Sequence, residues 1–295
     1  MPKQKYNLIN LKKKKINYRE FLVKNTQLSI SEITRLSYDL QSGTYVKFYN
    51  KLKTNKNIYI YNSNMKNLFK YINNKKIQTL LDFGTGEGTK LPYILKHNKQ
   101  LKKIFACDVS FNRLSVGYDF LKKELKKEDL SKVTLFCNEN FELPFKNNSI
   151  DLVFTGGVLE NMSNNKMDNM ILELLRVTKK RLILLEPRID NISITDLRRM
   201  KKFKLNFNLN KILKKNKINF IEDVWNKLED KNSPYSIRII DKKTKSSKDQ
   251  NFYLKNENYP LRKMNNFFYS KFGKIIPILN NIVIFRSFKN LYYFK

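Results

Sequence analysis

Along the middle of the chain, apolar residues recur in short continuous runs, and between these runs they fall at helical spacing. Ile77–Phe83 reads as a buried strand, Gly84–Gly88 as a tight turn and Thr89–His97 as a helix. Ile104–Asp108 is a second strand, and Ser110 then caps a helix running from Phe111 to about Lys127. Val133–Cys137, Ile150–Phe154 and Arg181–Glu186 are further strands, with a helix over Asn165–Val177 before the last of them. Short apolar strands alternating with amphipathic helices give a mostly parallel sheet covered on both faces. After a helical stretch over Ile194–Lys215, Asn219–Trp225 and Tyr235–Asp241 lie close enough in sequence to pair antiparallel. The fold class expected is therefore α/β, a seven-stranded, mostly parallel sheet with helices on both faces.

The ends of the chain read differently. Residues 1–61 are polar, basic and locally helical, with a helix opening at Ser31-Glu32-Ile33 and breaking at Ser42-Gly43. A helical pattern through Met65, Leu68, Phe69 and Ile72 leads into the sheet domain, residues 62–243. Lys242–Gln250 is polar and charged, a linker, and 251–295, rich in Tyr, Phe and Ile, is set apart as a small β-rich module.

Composition narrows this picture. At 41% hydrophobic residues, with 16 Tyr and 21 Phe in 295 residues, the chain can bury a core. It has no run of about 18 apolar residues to span a membrane. The basic start lacks the apolar segment of a secretory signal, so a cytoplasmic location is expected. Cys107 and Cys137 sit inside apolar strands and read as buried thiols. The formal charge of +33 invites a nucleic-acid partner, but Lys and Asn are spread over nearly every segment. That spread reads as a compositional bias rather than a built patch.

The turn after the first strand carries the chemistry. Glycine at 84, 86 and 88 lets the backbone approach a ligand closely, and the helix that follows points its N–H groups at an anionic group. A dinucleotide fingerprint places its third glycine at 89, where this chain has Thr89, and Gly88-Thr89-Lys90 has the wrong order for a P-loop. Asp82 and Glu87 flank the turn, which suits a ligand cationic at its centre and carrying one carboxylate. Asp108, ending the second strand, is placed to accept both hydroxyls of a ribose.

The segments LLDFGTGEG, FACDVS, NENFELPFKNNSIDLVFTGGVLEN and LLRVTKKRLILLEP, in this order and spacing, resemble class I S-adenosylmethionine-dependent methyltransferases. Within that class they are most similar to the methyltransferase-11, or ubiquinone-methylase-like, group over residues 62–241. The resemblance implies S-adenosylmethionine as cofactor. Asp82, Gly84, Thr85, Gly86 and Gly88 would surround its methionyl part, Asp108 its ribose, and Glu139 and Asn140 its adenine. Gly156 and Gly157 would line the floor beneath the sulfonium. The chain departs from the family at Glu139, where Asp is usual, at Asn161, where a His often follows Val-Leu-Glu, and at Lys179-Lys180, where a glycine pair is usual.

Methyl transfer from a sulfonium needs mainly proximity and alignment, but a hydroxyl acceptor also needs its proton taken. The lone histidine, His97, ends a helix and reads as structural. Glu160 and Glu186 fall on the carboxyl edge of the sheet, where open α/β folds bind ligands, and each is a candidate base or a helix cap or pocket brace. Tyr38–Tyr45 is either a lid over the site or a helix-loop-helix packed on the sheet. The C-terminal module resembles small ribbons that carry zinc in related bacterial chains. No cysteine follows Cys137, so no metal site is expected. Resemblance to methyltransferases of surface-polysaccharide pathways implies a small-molecule or glycan-precursor acceptor. An RNA methyltransferase and a non-catalytic cofactor-binding protein are the alternatives.

Overall fold

The computed structural model describes residues 16–72, 76–139, 142–188, 193–224, 235–242, 251–254 and 257–285. Four helices precede the sheet: α1 (Tyr18–Asn25), α2 (Ile30–Leu40), α3 (Thr44–Thr54) and α4 (Ile58–Phe69). The sheet domain then alternates β1 (Thr79–Phe83), α5 (Leu91–His97), β2 (Lys103–Asp108), α6 (Phe111–Glu124), a short α7 (Lys127–Ser131) and β3 (Val133–Asn138). It continues through β4 (Ile150–Gly156), a 3₁₀ turn at Leu159–Asn161, α8 (Asn164–Val177) and β5 (Thr178–Pro187). Next come α9 (Ile194–Lys202), α10 (Leu209–Lys215), β6 (Ile221–Val224) and β7 (Tyr235–Asp241).

Neighbouring strands run in the order β6-β7-β5-β4-β1-β2-β3. Strands β1 to β5 are parallel and β6 and β7 pair antiparallel, as the sequence pattern predicts, and β7 also lies antiparallel to β5. Strands β1 to β5 bury both faces, so their apolar runs divide between two cores. Leu80, Leu152 and Phe154 pack with Met65, Leu68, Ile94 and Leu121 from α4, α5 and α6. Leu81, Val153 and Leu184 pack on the other face with Met170, Leu174, Leu209 and Leu213 from α8 and α10.

Two expectations change. The helical stretch expected over Ile194–Lys215 is two helices. Between them Lys204 takes a positive φ of 51°, and Asn206 turns its backbone N–H onto the Glu160 carbonyl. The second change concerns the last segment, expected as a separate module. Its strands β8 (Arg262–Met264), β9 (Phe267–Tyr269), β10 (Ile275–Leu279) and β11 (Ile282–Phe285) continue the sheet to eleven strands. Strand β11 adds parallel to β3, with Ile282 opposite Leu135 and Ile284 opposite Cys137. Its four residues are all buried and serve both cores, Ile282 and Ile284 on one face, Val283 and Phe285 on the other. An apolar run of that kind is what an interior strand requires. Beyond Lys242, the expected linker lies outside the described residues, as do Trp225 and Asn140.

Helix α6 lies against the glycine turn through Gly117. A Cβ there would stand 2.8 Å from the Glu87 carbonyl oxygen and 2.9 Å from its carbon, both backbone atoms that cannot swing away. Gly117→Ala should therefore push α6 off the turn and lower stability by about 1–3 kcal/mol, as overpacking does. A denaturant midpoint equal to wild type would show that the two elements are less tightly seated than the contact implies.

Candidate active site

The carboxyl ends of β1, β2, β4, β5 and the amino end of antiparallel β7 meet at one cavity of about 830 Å³. Its walls include the glycine turn, Asp108, Glu139, Gly156, Gly157 and Glu160.

The turn is suspended from β2. The Gly84 and Thr85 N–H groups both donate to the Cys107 carbonyl at 2.8 Å, and the Gly86 N–H donates to Asp108 Oδ2 at 2.8 Å. Asp108 Oδ1 accepts from the Ser110 N–H at 2.8 Å, and Ser110 Oγ in turn caps α6 through the Arg113 N–H. Gly84 and Gly86 need glycine on two counts. Both have positive φ, and a Cβ would run into Val158 at the first and into the Arg113 guanidinium at the second.

Asp82 ends fully buried, with neither carboxylate oxygen hydrogen-bonded among the described residues. Lys90 Nζ lies 3.5 Å away. The Thr85 hydroxyl, on the cavity wall, is likewise without a hydrogen bond. Buried groups left in this state call for a ligand with donors, since an unmet buried polar atom is costly. Glu139 lies on the wall with Arg35 Nε 3.5 Å from its carboxylate, and Asn140 is outside the described residues.

The N-terminal helices close over this turn. Glu87, which flanks the turn and lines the cavity, accepts from the Gly43 N–H at 2.9 Å and the Val46 N–H at 2.7 Å, holding the start of α3. Ser110 Oγ donates to Asp39 Oδ1 at 2.6 Å. Arg113 is buried between the rings of Tyr38 and Tyr45, 4.9 and 4.6 Å from their centroids. Burial pulls its guanidinium down, but Asp108, the two tyrosines and Glu87 together hold it above its ordinary value. Tyr38 and Tyr45 line the cavity, so this stretch forms part of its wall.

The two glutamates on the carboxyl edge have different surroundings. Glu186 is 1% exposed and accepts from Thr155 Oγ1 at 2.6 Å. It also accepts from the N–H groups of Val158, Leu159 and Glu160 at 3.0, 3.1 and 3.2 Å. Burial pushes its carboxyl up, while those four donors pull it back. Glu160 lines the cavity, and the Tyr235 hydroxyl donates towards both its oxygens, at 3.1 and 3.0 Å. Burial, then the nearby charge of Glu186, pushes Glu160 up to about 7, against the pull of Tyr235, Arg199 and Arg19. His97 stacks on Tyr93 at 4.3 Å on the end of α5, away from this cavity.

Three residues of the site had no sequence signal. Lys90 was visible only as a wrong letter for a P-loop. Arg113 is a charge on the buried side of a helix, and Tyr235 reaches Glu160 only because β7 reverses direction beside β5. Among the described residues, no cluster of His, Cys, Asp or Glu is arranged to hold a metal ion.

Residues 81–185 match a family described as Methyltransferase domain. Comparison of the sequence with curated proteins gives no match. Among solved structures, the chain is similar to magnesium protoporphyrin IX methyltransferase from Synechocystis PCC 6803 with bound SAH, at 16% identity and a TM-score of 0.52. That alignment covers 72% of this chain and 99% of the other. A putative methyltransferase of Haloferax volcanii, in complex with its Trm112 activator, aligns at 11% identity and TM-score 0.50, covering 69% and 96%. A small RNA methyltransferase aligns at 21% identity and TM-score 0.51, covering 62% of this chain and 25% of the other. At these identities the likeness is one of fold.

Glu186 holds the turn that carries Glu160, so Glu186→Gln should loosen it. An amide has one acceptor oxygen in place of two, and at least one buried N–H would lose its partner, a loss of about 1–3 kcal/mol. Thermal unfolding of the variant measures this, and an unchanged melting temperature would mean the turn is held elsewhere.

Proposed function

We propose that this chain, an S-adenosylmethionine-dependent methyltransferase by the domain at residues 81–185, methylates a hydroxyl group of a small molecule, with Glu160 as the base. One observation carries the reading: a carboxylate pushed up to about 7 lines the same cavity as the glycine turn.

The residues present fit the cofactor. The unmet carboxylate of Asp82 and the Thr85 hydroxyl suit the amino end of its methionyl part, and Lys90 suits the carboxylate. Asp108 keeps lone pairs beyond its two backbone bonds, which suit the ribose hydroxyls. Glu139 and Gly156 fall on the wall beside these positions. When bound, the cofactor supplies a methyl group already activated on a sulfonium.

The protein's part is orientation, exclusion of water and the proton. Tyr235 holds the Glu160 carboxylate towards the cavity. Glu160 would take the proton of the acceptor hydroxyl, whose oxygen would then receive the methyl group that the cofactor supplies, the bonding pair staying with the departing sulfur. Glu186, with its oxygens engaged by four donors, keeps the turn in place and takes no proton in this scheme. The cover held by Glu87 and Asp39 leaves room for a small acceptor, a glycan precursor among them, and argues against a folded RNA.

Calorimetric titration should show binding of S-adenosylmethionine or its demethylated product and none of NAD. Asp108→Ala should weaken that binding about tenfold or more, since charge-assisted bonds contribute roughly 1.5–3 kcal/mol. Equal affinity in the variant would remove Asp108 from the ribose position.

Glu160→Gln should leave cofactor affinity intact and lower turnover by about 10² to 10⁴. The base works ionised, so wild-type kcat/KM should rise with pH and level off above about 7. Stability runs the opposite way. A carboxyl whose folded value is raised contributes fully below its ordinary range and loses that contribution as pH climbs through about 7. Glu160→Gln should accordingly gain melting temperature over wild type at pH 8 and not at pH 4. Turnover within a few-fold of wild type would make Glu160 a brace of the pocket.

A further inference from the structure

Among the described residues, five of the twelve large apolar side chains left exposed belong to the C-terminal strands and the segments beside them: Tyr259, Met264, Phe272, Ile275 and Leu279. They are not scattered. Cross-strand pairs share a face of a sheet, and the register of β8, β9 and β10 aligns Arg262, Tyr269 and Ile275 in one row. Met264, Phe267 and Pro277 form the next row on the same face. The opposite face carries Phe268 and Ile276, which pack into the core around Phe252. The outward face stays open, with Ile275 62% and Met264 52% exposed. At its tip, in the turn Ser270–Gly273, Phe272 is 70% exposed between Lys271 and Lys274.

No Asp or Glu follows Glu257, while Arg262, Lys263, Lys271 and Lys274 lie in and around these strands. Lys271 Nζ sits over the Tyr259 ring at 3.8 Å. An apolar face rimmed by cations, with aromatic side chains at the boundary, is the pattern of a surface that enters the headgroup region of anionic lipid.

We propose that the outward face of β8–β10, with Phe272 at its tip, docks the protein on an anionic lipid surface. A second copy is opposed by charge, since each chain carries +33 and the patch itself is uncompensated. A nucleic acid would satisfy the lysines and could stack on Phe272 or Tyr259, but it would leave Ile275, Met264 and Leu279 without a partner, and these gain only from hydrocarbon. No described helix is long and apolar enough to cross a membrane.

The test is sedimentation of the full chain with phosphatidylcholine vesicles, with and without phosphatidylglycerol. Binding is expected to the mixed vesicles, to weaken with salt and to be absent on pure phosphatidylcholine. The double variant Phe272→Ser, Ile275→Ser should bind at least about fivefold less while keeping its melting temperature, because both side chains are exposed. Its affinity for S-adenosylmethionine should also be unchanged, which separates failure of this proposal from failure of the active-site reading. Absence of binding to mixed vesicles, or equal binding by the variant, overturns the proposal. So does retention of a single-stranded RNA oligonucleotide that the variant loses, or a dimer that it dissolves, where vesicles do not bind.

Discussion

The carboxylate of Asp108 is the constraint from which the site is built. One oxygen holds the Gly86 N–H and the other the Ser110 N–H, so a single group fixes the middle of the glycine turn and the entry to α6. Because Ser110 then caps α6 and donates to Asp39, the same group settles where α2 lies. Because α6 is placed, Gly117 meets Glu87, whose carboxylate reaches out to the first residues of α3. Turn, helix and cover thus form one connected assembly of buried charge-assisted bonds. Such bonds are stronger than neutral ones and leave little slack when all partners are in place.

What that assembly leaves unmet is as informative as what it joins. Asp108, Ser110 and Glu87 have their partners, yet Asp82, fully buried, has no hydrogen bond among the described residues. The fold keeps a buried carboxylate in that state beside a cavity lined by glycine backbone. On the other side of the cavity the imbalance is between two carboxylates. Glu186 is stabilised by four donors, and its charge, together with burial, raises Glu160. The protein thus separates two neighbouring glutamates into one that holds structure and one near neutrality in its affinity for a proton, which is how environment assigns different roles to like groups.

Legibility from sequence followed the range of the interactions. The turn, Asp108 and the strand–helix alternation are local. Glycines at positive φ, an acidic strand end and a serine cap leave marks within a few residues. The parallel core and the antiparallel pair β6 and β7 followed from those marks. The strand role of Ile282–Phe285 did not, because four apolar residues say that a strand is interior without saying which edge it covers. Setting that segment apart as a module overlooked that β3 would otherwise be an edge, and an apolar edge strand is a liability that folds tend to cover. The hold of Glu87 on α3 left no local mark either. Its partners, Gly43 and Val46, lie more than forty residues earlier and carry backbone donors that no side-chain pattern announces.

The same rule separates the two halves of the site. The half built on β1 and β2 takes its groups from one continuous stretch, Asp82 to Arg113. The half built on β4, β5 and β7 is assembled from distant segments. Tyr235 reaches Glu160 from the strand that reverses the sheet, and Arg19 reaches Asn161 from α1 at 2.9 Å. Asn206 donates to the Glu160 carbonyl from the break between α9 and α10. A cofactor shared by a whole class can be held by a compact local motif. An acceptor particular to one enzyme is better served by contacts that can change one at a time without disturbing that motif. Glu160 sits where the halves meet, fixed through its backbone by Glu186 and Asn206 and through its side chain by Tyr235. Substitutions in the distant segments would therefore alter the direction and proton affinity of this one carboxylate while the glycine turn stays as it is.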